Sequence, residues 1–189
     1  MRETERLLRE RRVRDFDVDL ICAQAGVTPA AFTGLFADTD ELLASMFDHL
    51  SSRLLTSIVL AYRSEDRWVD GVRAALHELL SFVDRERGLA RFLVVDSLTG
   101  DAAMLARRRG MVERLANALD HGSPPQSGAG AQASFGGDAV VYGVASILGS
   151  CLLEEPSREA KRLRGTLMGM IVLPYLGVEA ARAELSRQG

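Results

Sequence analysis

The sequence predicts an all-α fold, with a small three-helix unit at the N-terminus and a larger helical bundle behind it. Three observations carry this. Apolar residues recur at spacings of three and four along most of the 189 residues, and no segment alternates with period two. Helix stop and start signals stand close together near residues 17–40. Hydrophobic residues make up 47% and charged residues 26%, the balance of a globular chain that buries a core.

The N-terminal signals are specific in position. Asp17 precedes Val18, Ile21, Cys22 and Ala25, which share one helical face, so Asp17 reads as an N-cap. Gly26 ends that helix, because glycine accepts the left-handed backbone of a C-cap. Thr28-Pro29 starts another, with Thr as N-cap and Pro where no N–H is needed. Phe32, Leu35 and Phe36 are expected on its inner face. Two short helices around a tight glycine turn form a helix-turn-helix, whose second helix ordinarily enters a DNA major groove.

The following elements read as amphipathic helices. Thr39 is expected to cap a long helix to about Tyr62, with Leu42, Leu43, Met46, Phe47, Leu50, Leu54, Ile58 and Val59 inward. Ser64-Glu65-Asp66 restarts a helix to about Glu86, with Trp68, Val72, Leu76, Leu79, Leu80 and Val83 inward. Gly88 to Leu98 is apolar on several sides and therefore central. Gly100-Asp101 supplies a turn and an N-cap for a helix to about Leu119, which carries a basic patch at Arg107, Arg108 and Arg109. Residues 121–137, HGSPPQSGAGAQASFGG, have almost nothing to bury and predict a flexible surface loop. Asp138 to Leu153 and Ser157 to Leu173 form two helices separated by Pro156; Pro174 is expected to halt the second, and Val178 to Arg187 to form a short terminal one.

The stretch AQAGVTPAAFTGLFADTDELL resembles the DNA-binding segment of TetR/AcrR-type transcriptional regulators. Ile21, Ala25, Gly26, Val27, Thr28, Phe32, Phe36, Leu42 and Leu43 fit that pattern. DSLTGDAAMLARRR and the apolar helices ending at LPYLG are similar to the family's regulatory domain. The resemblance implies a helix-turn-helix DNA-binding domain over 1–48 and a helical ligand-binding and dimerisation domain over 49–189. It implies a cytoplasmic, ligand-responsive regulator, read as a repressor, which binds double-stranded DNA as a homodimer and answers to a small-molecule effector. By resemblance, DNA contacts fall on Thr28, Pro29, Ala30, Thr33 and Thr39, and the nearest cations that could join them on the backbone are Arg11, Arg12 and Arg14. The effector is expected among Trp68, Leu76, His77, Phe82, Phe92, Asp96, Met104, Met111 and Tyr142, where aromatic and thioether side chains make an adaptable pocket. Surplus apolarity on the last two long helices, with small residues such as Gly143, Gly149, Gly165 and Gly169, adds an expected dimer interface at Val140, Val144, Ile147, Leu148, Leu163, Leu167, Met170 and Ile171.

Charge departs from this pattern. No Lys or Arg lies between Asp15 and His49, while Asp15, Asp17, Asp19, Asp38, Asp40, Glu41 and Asp48 do. Thr33 and Thr39 stand where the family commonly has a Tyr and a Lys on DNA phosphates. Cationic side chains supply most duplex affinity by displacing counterions, and net charge is −3, so any pull toward DNA is local. The upstream arginines, from Arg2 to Arg14, either touch phosphates or form a solvated face paired with Glu3, Glu5 and Glu10. The alternative function is therefore a TetR-like ligand-binding or interaction module that has lost DNA binding. Enzymatic motifs (a phosphate loop, GxSxG, HExxH) do not occur, and no catalytic residues, cofactor or metal are expected. Cys22 and Cys151 sit at apolar helical positions and read as buried free thiols. No apolar run is long enough to span a bilayer, and the charged N-terminus has no signal-peptide pattern.

Overall fold

A computed structural model describes residues 1–123, 136–154 and 159–187. Among these it is all-α. The helices are α1 (Arg2–Glu10), α2 (Val18–Ala25), α3 (Pro29–Thr33), α4 (Thr39–Arg63), α5 (Trp68–Arg85), α6 (Arg87–Val94), α7 (Ala102–Gly122), α8 (Gly137–Leu153) and α9 (Arg164–Ser186), with 3-10 turns at Val13–Asp15, Asp96–Thr99 and Ala160–Leu163.

Several boundaries differ from the sequence reading, each for a local reason. Asp38, not Thr39, caps α4: its carboxylate accepts from the Glu41 N–H at 2.9 Å, and the Glu41 carboxylate reaches back to the Ala37 N–H at 2.6 Å. Helix α5 starts only at Trp68, after a cap that offers no side-chain acceptor. The segment expected as one helix over Gly88 to Leu98 is α6 followed by a 3-10 turn. The segment expected from Ser157 begins as a 3-10 turn whose first N–H groups, Ala160 and Lys161, donate to the Asp84 carboxylate at 2.7 and 3.3 Å. Pro174 does not halt α9. Proline removes one N–H from the ladder, yet the break falls at Gly177, whose φ of 81° only glycine adopts readily. Of the expected loop 121–137, residues 124–135 lie outside the described residues, as does Pro156; His121 and Gly122 finish α7 and Gly137 opens α8.

Two apolar clusters organise the bundle. One joins Val72, Leu76, Leu80 and Val83 of α5 to Val140, Val144 and Leu148 of α8 and Leu167, Met168, Ile171 and Val172 of α9. Arg73 ties α5 to the end of α9, donating to the buried Glu184 carboxylate at 2.7 and 3.3 Å. The other cluster gathers Leu7, Leu8, Ile21, Cys22 and Phe32 around Leu42, Met46, Phe47 and Leu50 of α4. It does not stop at residue 48. Leu89, Phe92 and Leu93 of α6 and Met104 of α7 complete it, and the Phe92 ring meets Phe47 edge-on at 6.3 Å.

Helix α6 lies directly against the end of α1. A Cβ on Gly88 would run into the Leu8 carbonyl and come within 2.6 Å of the Arg9 Cα, both backbone. Around this contact Arg9 pairs with Glu86 at 2.7 Å, and Arg91 donates to the Arg11 carbonyl at 3.4 Å. Gly88→Ala is therefore expected to lower unfolding free energy by about 1–3 kcal/mol, since neither neighbour is a movable side chain. Thermal denaturation of the variant checks this, and an unchanged melting temperature would show that the two helices separate freely.

Candidate nucleic-acid interface and ligand cavity

Local chemistry builds the helix-turn-helix. The Asp17 carboxylate accepts from the Leu20 N–H at 2.7 Å at the start of α2. Gly26 ends that helix at φ 65°, and the Val27 N–H returns to the Cys22 carbonyl at 3.1 Å. Thr28 Oγ1 accepts from the Ala31 N–H at 3.2 Å, with Pro29 as the first residue of α3. Phe32, 4% exposed, anchors α3 in the core and stacks near Phe36 at 5.8 Å. Leu35, expected inside, is 77% exposed. Helix α3 ends at Thr33, so the spacing from Phe32 to Leu35 no longer maps to one helical face. The outer face of α3 presents Thr28, Pro29, Ala30 and Thr33, all exposed; Thr33 Oγ1 donates to the Ala30 carbonyl at 3.2 Å and keeps its lone pairs. Thr39 is half-buried at the first turn of α4.

The surplus of acidic residues has a structural explanation in part. Asp17, Asp38 and Glu41 are occupied with helix-start N–H groups, where the positive end of the helix favours negative charge. Asp48 pairs with Arg107 at 2.9 Å. The upstream arginines divide. Arg6 is held by Glu3, Glu10 and Gln24, and Arg9 by Glu86 and Glu5. Arg11 and Arg12 are exposed with no carboxylate partner among the described residues, and Arg14 is 83% exposed beside Asp15 at 3.8 Å. Arg2 is likewise exposed without a carboxylate partner among the described residues, so three of the four upstream cations left to solvent are on the short segment that leads into α2.

A cavity of about 710 Å³ lies between α4, α5, α7, α8 and α9. Its size is that of a small-molecule site. Of the expected ligand residues, Leu76 and Met111 line it. The others lie elsewhere. Trp68 packs on the Tyr175 ring at 5.0 Å, and His77 is exposed on the far side of α5. Phe82 is half-buried between the two clusters, and Tyr142 is 44% exposed. Phe92, Asp96 and Met104 gather instead around a hollow of about 90 Å³, too small for an effector, where Asp96 pairs with Arg91 at 3.3 Å. The walls that sequence reasoning missed are the second half of α4 (Leu55, Ile58, Val59) and the outer turns of α7 (Arg114, Leu115, Leu119). Both are amphipathic helices whose neighbours the sequence does not specify.

On the last two helices, Val140, Val144, Leu148, Leu163, Leu167 and Ile171 are buried in the protomer's own core and offer almost no surface to a second chain. Ile147 and Met170 are half-buried. The face left open carries Tyr142, Ser146 and Leu153 of α8 and Leu173 of α9. Most of the apolar surface expected for a dimer interface thus goes to the protomer's own core.

No protein-family model matches the sequence. Over 99 residues the chain is 25% identical to the nucleoid occlusion factor SlmA of two Haemophilus influenzae strains, covering 52% of this chain and 45% of theirs. The match thus spans about half the length of these curated relatives. Two solved structures share the whole architecture. The transcriptional regulator FadR of Bacillus subtilis, in complex with stearoyl-CoA, superposes with a TM-score of 0.70 at 11% identity, over 93% of this chain and 96% of that one. RolR without ligand gives 0.65 at 16% identity, over 98% and 94%.

The fold is TetR-like. In this TetR-like bundle no helix among the described residues is long and apolar enough to cross a membrane. Nor do three or more His, Cys, Asp or Glu side chains gather there as a metal site would require.

Because the acidic residues act as caps, Asp38→Ala is expected to cost about 1 kcal/mol of stability, and Asp38→Asn only a few tenths. Equal losses in urea titration would mean that the charge of Asp38, rather than its acceptor oxygen, holds α4.

Proposed function

We propose that this chain is a ligand-responsive transcriptional repressor that binds double-stranded DNA as a homodimer. The observation that carries the proposal is the continuity of α4. Its first turns close the helix-turn-helix core through Leu42, Leu43, Met46 and Phe47, and its last turns, from Ser52 to Arg63, form a wall of the cavity. One rigid element therefore touches both sites. An effector that fits one position of α4 better than another shifts the population between them and so changes the separation of two recognition helices in a dimer. The likeness to regulators, one of them in complex with stearoyl-CoA, supports the same reading. An operator, a small-molecule effector and a second copy of the chain are its partners, and the cytoplasm is its place.

In this mechanism Thr28, Pro29, Ala30, Thr33 and Thr39 fix register by neutral contacts, and Arg11, Arg12 and Arg14 supply the counterion release. Replacing all three arginines with Ala should weaken binding to every duplex and reduce the slope of log K against log salt by about 0.9 per lost phosphate contact. Thr33→Ala should weaken it less. Asp17→Asn with Asp38→Asn keeps both cap acceptors while removing two negative charges, and should tighten DNA binding. Titration of genome-selected duplexes at several salt concentrations checks all three. No binding at low salt would favour the second reading, a ligand-binding or interaction module without DNA affinity, to which the absence of cations between Arg14 and Arg53 points.

The dimer is placed on the open face of α8 and α9. Leu173→Arg, at a position 46% exposed in the protomer, should leave the fold intact and give a monomer in sedimentation, because the interface would have to bury an unpaired charge. A variant that still sediments as a dimer would move the interface elsewhere.

A further inference from the structure

The cavity between α4 and α7 is chemically two-sided. Its floor is made by Val72, Ala75, Leu76 and Leu79 of α5, Val141 and Val144 of α8 and Ile171 of α9, all apolar. Every polar side chain that lines it stands on α4 or α7: Ser52, Thr56, Tyr62 and Arg63 on the first, Arg114 and His121 on the second. Those two helices run side by side in the same direction, since Asp48 meets Arg107 at one end and Tyr62 reaches Gly122 at the other. The polar groups therefore line one seam, opposite the apolar floor.

The charge along that seam has one sign. No Asp or Glu lines the cavity, although the chain has more acidic than basic residues. Arg63 and Arg114 have no carboxylate partner among the described residues; the Arg114 Nε donates to the Gly110 carbonyl at 3.2 Å, which leaves its terminal nitrogens for another acceptor. Both side chains are exposed, at the rim of the cavity, whereas two arginines deeper in the bundle are paired. Arg73 has Asp70 and Glu184, and Arg91 has Asp96. At the cavity mouth Arg63 and Arg114 stand in solvent with no carboxylate against them among the described residues, open to an anion bound there.

We propose that the cavity takes an amphipathic monocarboxylate, a molecule with an extended apolar body and one anionic head. The body lies on the α5–α8–α9 floor, and the carboxylate sits at the α4–α7 seam, whose positive charge comes from Arg63 at one end and Arg114 about two turns away, and accepts from one of them. This rests on the reading of the cavity as the effector site, and it specifies the chemistry of the effector. A neutral alcohol of the same length satisfies the floor and leaves the arginines without a charge partner. A cation of the same length meets two like charges.

The test uses decanoate, decanol and decyltrimethylammonium below their micellar ranges, with binding read by calorimetry and by the fluorescence of Trp68. That residue is the chain's single tryptophan, and its Cδ1 lies 3.2 Å from the Cβ position of Gly122 at the cavity's end. Decanoate should bind about tenfold or more tightly than decanol, the margin of one charge-assisted hydrogen bond, and the ammonium should bind weakest. Arg63→Ala with Arg114→Ala should remove the advantage of decanoate and leave decanol unchanged. The double Lys variant should keep part of it, which separates loss of charge from loss of fold. Ala75→Phe, which fills the floor, should weaken decanoate and decanol together. Equal affinity for decanoate and decanol, preference for the ammonium, or no binding of any of the three overturns the proposal, as does a decanoate advantage that survives loss of both arginines. These readouts need no DNA. A chain that binds decanoate but no duplex loses the repressor reading and keeps this one; a chain that binds duplex but none of the probes does the reverse.

Discussion

Helix α4 carries nine buried residues from Leu42 to Ile58, along a rod about 37 Å long, and no single neighbour covers that face. The N-terminal helices cover its first half. Leu7, Leu8, Ile21, Cys22 and Phe32 pack there, with Phe92 and Leu93 of α6 closing the far side. Its second half faces α5 and α7 across a space that side chains do not fill, and that space is the cavity. The helix-turn-helix and the cavity exist where they do because one apolar stripe is shared between two partners. A rigid helix in two cores also transmits displacement, since packed interfaces switch between discrete arrangements more readily than they deform.

Helix α6 is the second connection between the halves. It is only eight residues long, yet it brings Leu89, Phe92 and Leu93 into the N-terminal cluster while Ala90 faces the other. Gly88 allows its backbone to approach the Leu8 and Arg9 backbone, and the junction is fixed by the Arg9–Glu86 ion pair and the contact of Arg91 with the Arg11 carbonyl. Exposed pairs of this kind add little stability singly. Their consequence here is directional. The Glu86 carboxylate that holds α6 against α1 occupies the Arg9 guanidinium, so the unpaired cations leading into α2 begin at Arg11.

The electrostatics of the helix-turn-helix follow from the way its helices start. Three helices in succession need N-caps, and Asp17 and Asp38 meet that need with carboxylates where Thr28 meets it with a hydroxyl. A charged cap is a strong acceptor at a helix start, but it leaves negative charge near the face that the proposal assigns to DNA. The cavity shows the opposite economy of charge, with arginines at its mouth and carboxylates kept away. Two surfaces of one slightly acidic protein are thus biased in opposite senses by neighbouring residues on α4 and its flanks.

The sequence by itself determined whatever depends on neighbours in the chain. The all-helical class follows from spacing of three and four. The α2–Gly26–α3 turn was legible because an N-cap, a left-handed glycine and a Thr-Pro start are local chemistry, and the Asp101 cap of α7 was legible for the same reason. Tertiary structure decided everything that depends on which faces meet. It placed Val140, Val144, Leu148 and Leu167 in the protomer's core instead of on an open surface, drew Phe92 and Met104 toward the N-terminal cluster, and lined the cavity with Val59, Arg63 and Arg114. An amphipathic helix declares that it has an inner face but not which partner covers it, and a cavity is the space those partners leave. Such a space has no signature in local sequence, because its walls come from helices dozens of residues apart.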